Sequence, residues 1–324
     1  MIFVTGGAGY IGSHCVKMLS KQNDQIIVYD NLSRGHREMA TGCRFIEGDL
    51  SETERISGIL KEYGVETVIH FAASSLVGES EEIPHQYYRN NVANGISLLD
   101  AMLRSGVQQI VFSSSAAVYG EPSSIPLKED HSTLPTNVYG NTKLIFENIL
   151  KKYASVYGLR FVSLRYFNAA GADPEGTIGE DHTPETHLIP LIIDAALERR
   201  KEITIFGTDY DTPDGTCIRD YIHVTDLALA HVLAVNYLRT GSESSVFNLG
   251  SEAGFSVKEV IAAAERVTKR RIPMTIGARR AGDPARLVAS SSKIKKHLGW
   301  NPALSDLDQI IETAWVWHNK RFAR

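Results

Sequence analysis

The sequence predicts a doubly wound α/β fold, a parallel sheet with helices on both faces, joined to a smaller mixed α/β lobe. Two observations predict it. Short apolar runs alternate with helix-length segments through the first half of the chain, and the first run ends in a glycine-rich turn that opens a helix. Met1 to Thr5 is that run, Gly6-x-x-Gly9-x-x-Gly12 is the turn, and Ile11, Cys15 and Leu19 recur at helical spacing. Runs at 25–29, 43–47, 67–71, 109–113 and 161–166 read as further strands, and their alternation with helices implies parallel pairing. After about residue 170 the alternation stops. Pro174, Pro184, Pro190 and Pro213 mix with Gly171, Gly176, Gly179, Gly207 and Gly215, so a first domain is expected over 1–169 and a second, less regular one over 170–324. Some segments of the second half are expected to return to the first domain, and 257–269 and 307–319 read as helices of the second.

Composition narrows the function classes. Among 324 residues, 34 Lys and Arg stand against 38 Asp and Glu, a formal charge of −4, which excludes a basic nucleic-acid binder. A hydrophobic fraction of 43% and a charged fraction of 22% are those of a globular chain, not a disordered or collagen-like one. No apolar run approaches the ~18 residues of a membrane span. The first residues show no basic stretch leading into an apolar one, so a cytoplasmic location is expected. Cys15, Cys43 and Cys217 are far apart and odd in number, which fits unpaired structural thiols. No metal site is expected.

Three constellations carry chemistry. Glycines in the first turn let backbone amides approach a pyrophosphate at the positive end of the following helix. Asp30, at the end of the second strand, stands where a carboxylate accepts hydrogen bonds from an adenosine ribose and repels a 2′-phosphate. The pair makes the first domain a Rossmann-type dinucleotide-binding unit and favours NAD over NADP, with nearby Arg34 the one contrary feature. The second constellation is Tyr139 and Lys143, one helical turn apart on one face. An adjacent cation lowers a phenol from about 10 by about 1–3 pH units, which would make Tyr139 a base for an alcohol proton. Alone, such a pair is ordinary surface chemistry. The third is Ser113 to Gly120, read as a polar loop after a strand, whose hydroxyls would face the same crevice as the glycine turn. Together, and in this order along the chain, the three describe one active site.

These motifs resemble the extended short-chain dehydrogenase/reductases, in particular those that epimerise nucleotide sugars. The resemblance spans essentially the whole chain through Thr5 to His14, Ser113 to Gly120, Tyr139 to Lys143, Arg165 to Asn168, Arg219 to Val224 and Arg279 to Asp283. It implies bound NAD, UDP-galactose and UDP-glucose as substrates, reversible epimerisation at C4 through a transient 4-keto sugar, and a homodimer paired through helices near 83–105 and 137–157. It also implies residue roles. Gly6, Gly9 and Gly12, with Tyr10 and Ile11, would cradle the pyrophosphate. Asp30 and Asn31 would hold the adenosine ribose, and Asp49 and Leu50 would lie at the adenine. Phe71, Ala72, Ala73, Asn90, Ser113, Tyr166 and Phe167 would line the cofactor path. Tyr139, Lys143 and Ser115 would be catalytic, the first two also bonding the nicotinamide ribose. On the sugar nucleotide, Asn168, Arg219 and Arg280 would hold the diphosphate, Leu188 and Phe206 would border the uracil, and Asp283 would take the uridine ribose.

Two departures stand out. Family members with a Lys after the fourth strand contrast with Phe71-Ala72-Ala73-Ser74-Ser75 here, and Leu287 stands where some relatives carry a bulkier Tyr against the sugar. The smaller residue would admit the acetamido group of UDP-N-acetylhexosamines. Three rival readings remain. The first is another nucleotide-sugar enzyme of the superfamily, such as a 4,6-dehydratase or a decarboxylase; Ala116-Ala117 argues against elimination, since those relatives show an acidic residue just after the catalytic Ser. An ordinary NAD-dependent alcohol dehydrogenase would release NADH, and a non-catalytic dinucleotide sensor would have no use for Ser115, Tyr139 and Lys143.

Overall fold

The structure is a computed structural model that describes residues 1–22, 24–280 and 283–322. Six strands form in the first half: β1 (Ile2–Thr5), β2 (Ile26–Asp30), β3 (Arg44–Glu47), β4 (Thr67–His70), β5 (Gln109–Ser115) and β6 (Arg160–Tyr166). β1, β2 and β4 are buried at every position, which is why they read as unbroken apolar runs and not as alternating ones. The chain then enters the second lobe with β7 (Asn168–Ala170), β8 (Ile203–Phe206), β9 (Ile218–Arg219) and β10 (Tyr221–His223). It returns with β11 (Ser245–Leu249), and closes the lobe with β12 (Phe255–Ser256), β13 (Met274–Gly277) and β14 (Arg286–Leu287).

The large sheet has the order β11-β6-β5-β4-β1-β2-β3, and every neighbouring pair is parallel. The strand order reverses at β1, between β2 and β4, so the crevice for a ligand opens above the C-terminal ends of these strands. Ile2, Val4, Val28, Ile69 and Val111 face one core, shared with the helices Tyr10–Lys21 and Val224–Arg239. Phe3, Ile27, Val68, Ile110 and Phe112 face the other, covered by Thr53–Glu62, Asn94–Ser105 and Val138–Tyr157.

The second lobe has its own core, built by the helices Leu188–Ala196, Val257–Thr268 and Leu307–Phe322. Among the described residues it carries three small sheets: β10 with β7, β12-β9-β14, and β13 with β8. Only Phe167 separates β6 in the large sheet from β7 in the lobe, and β11 with its preceding helix packs back onto the large sheet. Among the described residues, no helix is long and apolar enough to cross a membrane.

Candidate active site

The glycine turn is shaped by close approach. Gly6 sits at φ +72°, and a Cβ there would lie 2.5 Å from the Ala72 nitrogen. A Cβ on Gly12 would lie 2.2 Å from the Gly6 carbonyl oxygen, so both positions admit only glycine. A Cβ on Gly9 would meet nothing nearer than 3.4 Å, which leaves the approach to the following helix open. Asp30 braces this turn: its Oδ2 accepts from the Ala8 amide and its Oδ1 from the Leu32 amide, both at 2.9 Å. Burial raises its carboxyl above the ordinary range. A carboxylate has about four acceptor positions, so two remain for a ribose. Beside it, Asn31 Nδ2 donates to Asp49 Oδ2 at 2.8 Å, and Leu50 is buried behind them. Burial opposes charge on Asp49, but hydrogen bonds from Ser51 and Asn31 hold its carboxyl below the usual range. Arg34, the contrary feature, pairs with Glu79 at 2.9 Å and donates to the Thr183 carbonyl at 2.8 Å.

Phe71, Ala72 and Ala73 leave the end of β4 beside Gly6, and the Phe71 ring lies 4.6 Å from that of His231. Across the crevice, the six-residue π-helical segment Tyr88–Ala93 carries Asn90, whose amide donates to Ser74 Oγ at 3.1 Å. Irregular turns of this kind recur at functional sites. Tyr10 turns away from the turn's outer face and donates to the Gly171 carbonyl at 2.6 Å.

Ser115 closes strand β5 and is not part of a loop, as the sequence had suggested; the pairing with β6 runs through Ser115 and Tyr166. The helix that follows begins at Val138 and is capped by Asn137, whose Oδ1 accepts from the Gly140 amide at 2.8 Å. That cap fixes Tyr139 in the first turn, and Lys143 one turn on is only 3% exposed. Lys143 Nζ donates to the Ser113 carbonyl at 2.8 Å and sits 5.7 Å from the centre of the Tyr139 ring. Ser113 Oγ bonds the Tyr166 hydroxyl.

The electrostatics depart from expectation. Burial raises the Tyr139 phenol above its ordinary value, and a hydrogen bond with Ser115 opposes only part of that rise. Burial also lowers Lys143 to about 7, so the ammonium gives up much of its own charge instead of acidifying the phenol. The i, i+4 spacing put both groups on one face, but desolvation outweighs their coupling.

Sequence reasoning missed a buried network behind this site. Glu147, one turn beyond Lys143, accepts from Ser114 Oγ at 2.6 Å and from Arg165 Nε at 2.9 Å, and its other oxygen pairs with Arg165 Nη2 at 2.6 Å. Arg165 also donates to the Tyr119 hydroxyl, which donates to Asn248. Asn91 likewise donates to Thr142 Oγ1 at 3.0 Å and to the Ser74 carbonyl at 2.9 Å, tying the π-helical segment to the Tyr139 helix. Glu147 and Arg165 offered one signal, charged residues in a core-facing helix register and inside a strand.

The other predicted residues stand on strands, a helix and loops of the second lobe. Asn168 begins β7 directly after Phe167. Leu188 opens the helix Leu188–Ala196. Arg219 and Leu287 are register partners in β9 and β14. Leu287 and Phe167 pack against Ala116, Val118 and Tyr119, immediately beyond Ser115. Arg219 pairs with Asp283 at 3.2 Å, so these two, assigned to different parts of a ligand, meet each other here. The Arg280 guanidinium lies 4.0 Å over the Phe206 ring. Ala281 and Gly282 of the Arg279 to Asp283 motif lie outside the described residues.

A glycine cradle that excludes side chains, a half-free Asp30 and a Tyr–Lys–Ser cluster at one crevice define a dinucleotide-dependent enzyme that acts on a hydroxyl, and NAD fits this donor set. The comparisons agree. The model of the NAD dependent epimerase/dehydratase family matches residues 2–250, and the chain belongs to that family. It is similar to UDP-glucose 4-epimerase of Halalkalibacterium halodurans, 53% identical over 98% of this chain and 96% of that protein. Among solved structures, UDP-glucose 4-epimerase from Brucella ovis in complex with NAD superposes with a TM-score of 0.95 at 50% identity, covering 97% of each chain. The UDP-Glc/GlcNAc 4-epimerase of Campylobacter jejuni superposes at 0.86 and 40% identity, covering 98% of this chain and 99% of that one.

Proposed function

We propose that the chain interconverts UDP-galactose and UDP-glucose by reversible epimerisation at C4 through a transient 4-keto sugar, with NAD as its resident cofactor. The observation that carries this reading is the convergence of Ser115, Tyr139 and Lys143 on the strand ends beside the glycine turn. C4 of a pyranose bears no acidic hydrogen, so loss and return of a proton at carbon is a poor route to inversion. NAD, when bound, supplies a reversible hydride acceptor. In the loaded site, where the positive charge of NAD would oppose the burial that raises the phenol, Tyr139 would take the proton of the 4-hydroxyl with Ser115 as bridge, and later return it. Lys143, titrating near neutrality, orients the site and responds to charge brought by its occupant. Arg219 and Arg280 grip the diphosphate while the 4-keto sugar turns about its linkage and presents its other face. Net redox change is zero.

The proposed division of labour gives cofactor and catalysis to residues 1–169 and the sugar nucleotide to 170–324, with β11 and its helix returned to the first sheet. Two copies pair through the helices near 83–105 and 137–157; exposed Tyr88, Val156 and Tyr157 on those segments support this. A cytoplasmic location belongs to the same reading, supported by three unpaired cysteines.

A second reading adds UDP-N-acetylhexosamines as substrates. Support comes from Leu287, which packs beside Ala116 to Tyr119 with a smaller side chain than the Tyr of some relatives. Incubating the purified protein with UDP-galactose, without added cofactor, tests the main reading. UDP-glucose is expected to form with no accumulation of NADH absorbance; no interconversion even with NAD added overturns it. No detectable turnover of UDP-N-acetylglucosamine overturns the second.

A further inference from the structure

Between β7 and the helix that opens with Leu188, the loop gathers Glu180, His182, Glu185 and His187, with one donor atom from each within 4.8 Å of the others. Both imidazoles aim the same nitrogen inward. His187 Nδ1 lies 2.8 Å from Glu180 Oε1 and 3.1 Å from Glu185 Oε1, and His182 Nδ1 lies 3.2 Å from Glu180 Oε1 and 3.7 Å from Glu185 Oε2. His182 Nδ1 is buried and has no hydrogen-bond partner of acceptable geometry, and Glu180 is 4% exposed. Metal–nitrogen and metal–oxygen bonds of about 2.0–2.2 Å in a tetrahedron set its edges at roughly 3.3–3.6 Å. The two separations to Glu180 Oε1, 2.8 and 3.2 Å, fall just short of that edge, and those to Glu185, 3.1 and 3.7 Å, run to its two different oxygens, so an ion would draw one Glu185 oxygen toward both nitrogens. Hydrogen bonding accounts for His187, which meets Glu185 Oε1 at 3.1 Å, but leaves His182 Nδ1 beside Glu180 Oε1 at 3.2 Å without bonding geometry.

We propose that Glu180, His182, Glu185 and His187 form a closed tetrahedral site for a divalent transition metal of the zinc class. Two carboxylates and two neutral imidazoles leave no net charge around a dication, and imidazole with carboxylate is a donor set such ions accept. Four protein ligands leave no open position, so the ion is structural. The loop is already held for it from outside. The Asp181 carbonyl bonds His36 Nε2, the Thr183 carbonyl accepts from Arg34, and the Glu180 carbonyl accepts from Trp317. These braces come from both lobes, and the Tyr10 ring of the glycine turn meets His182 edge-on at 6.3 Å between centroids. The ion would therefore lock the loop that delivers Leu188 against the loop that follows the second strand. The spacing His-x-x-Glu-x-His was present in the sequence and went unread.

The test uses the full-length, NAD-loaded enzyme stripped of metal with a chelator and titrated with Co²⁺. One equivalent per chain is expected, with the intense visible bands of tetrahedral Co²⁺, bleached when Zn²⁺ displaces it. His182→Gln and Glu185→Gln are each expected to weaken uptake at least about tenfold, with folding checked by circular dichroism, while Cys217→Ser leaves it unchanged. No saturable uptake by the wild-type protein overturns the proposal, as does the weak spectrum of octahedral Co²⁺. Uptake unchanged in both variants assigns the ion to other surface groups and overturns it equally.

Discussion

Lys143→Met separates what the active site needs from what the fold needs. Burial lowers the Lys143 ammonium from 10.5 to about 7. Each pH unit of such a difference corresponds to about 1.4 kcal/mol, so at pH 7 the buried lysine costs the folded state about 4 kcal/mol. Met removes that cost and fills similar volume with an unbranched chain of similar helix propensity. It also forfeits the hydrogen bond to the Ser113 carbonyl, a loss of about 0.5–1.5 kcal/mol. The NAD-free variant should therefore be about 3 kcal/mol more stable than wild type at pH 7. The sign with pH follows from proton counting. Between about 7 and 10.5 the unfolded chain holds the lysine proton that the folded chain releases, so wild-type stability rises with pH across that window and the variant's does not. The advantage should shrink steadily toward pH 10 and be greatest below 7. Guanidinium chloride unfolding of both proteins at several pH values, after removal of NAD, measures it. A variant less stable than wild type at pH 7, or a difference flat in pH, refutes the reasoning. Turnover of UDP-galactose should meanwhile fall by about 10²–10⁴.

Glu147→Ala leaves the Arg165 guanidinium buried without its partner and should cost about 3–5 kcal/mol in denaturant unfolding; Glu147→Leu with Arg165→Met should cost clearly less than the two single changes summed, and strict additivity would sink this account. Leu287→Tyr should lower kcat/KM for UDP-N-acetylglucosamine relative to UDP-glucose by about tenfold or more, since overpacking costs about 1–3 kcal/mol; an unchanged ratio in parallel assays removes Leu287 from the sugar site. Gly12→Ala drives a methyl to 2.2 Å from the Gly6 carbonyl, so the purified protein should retain little NAD, its affinity down at least about tenfold; full NAD content by absorbance of the denatured extract contradicts the cradle.

What could be read from the sequence divides along the range of the forces involved. The β1 run, the glycine turn and Asp30 are local signals: apolar content, chain geometry and the strand-end position each leave a mark within a few residues, and the structure follows them. Strand ends moved by a residue or two because hydrogen bonding, not hydropathy, ends a strand; β5 runs on through Ser113, Ser114 and Ser115, whose backbones pair with β6 although their side chains are polar. Tyr139 and Lys143 were found by spacing, but their charge states were not, since desolvation depends on everything packed around the pair and has no sequence signature. Glu147 and Arg165 stand 18 residues apart and Tyr119 and Asn248 stand 129 apart. Such partners meet only through the sheet order, which periodicity cannot supply. Arg219 and Asp283 make the same point in the second lobe, where they face each other as register and loop geometry dictate.

The passage from β6 to β7 through the single residue Phe167, and the return of the chain to pair β11 with β6, bear on how this molecule can change over generations. A chain that crosses between lobes across a single residue and crosses back later has no hinge at which a recombination event could exchange one second lobe for another. Cutting at 169 would sever β11 from its neighbour and strip the Val224–Arg239 helix from the core it shares with the glycine-turn helix. Change in the second lobe is thereby left to point substitutions within it. Shuffling of whole lobes suits folds whose halves are threaded one after the other.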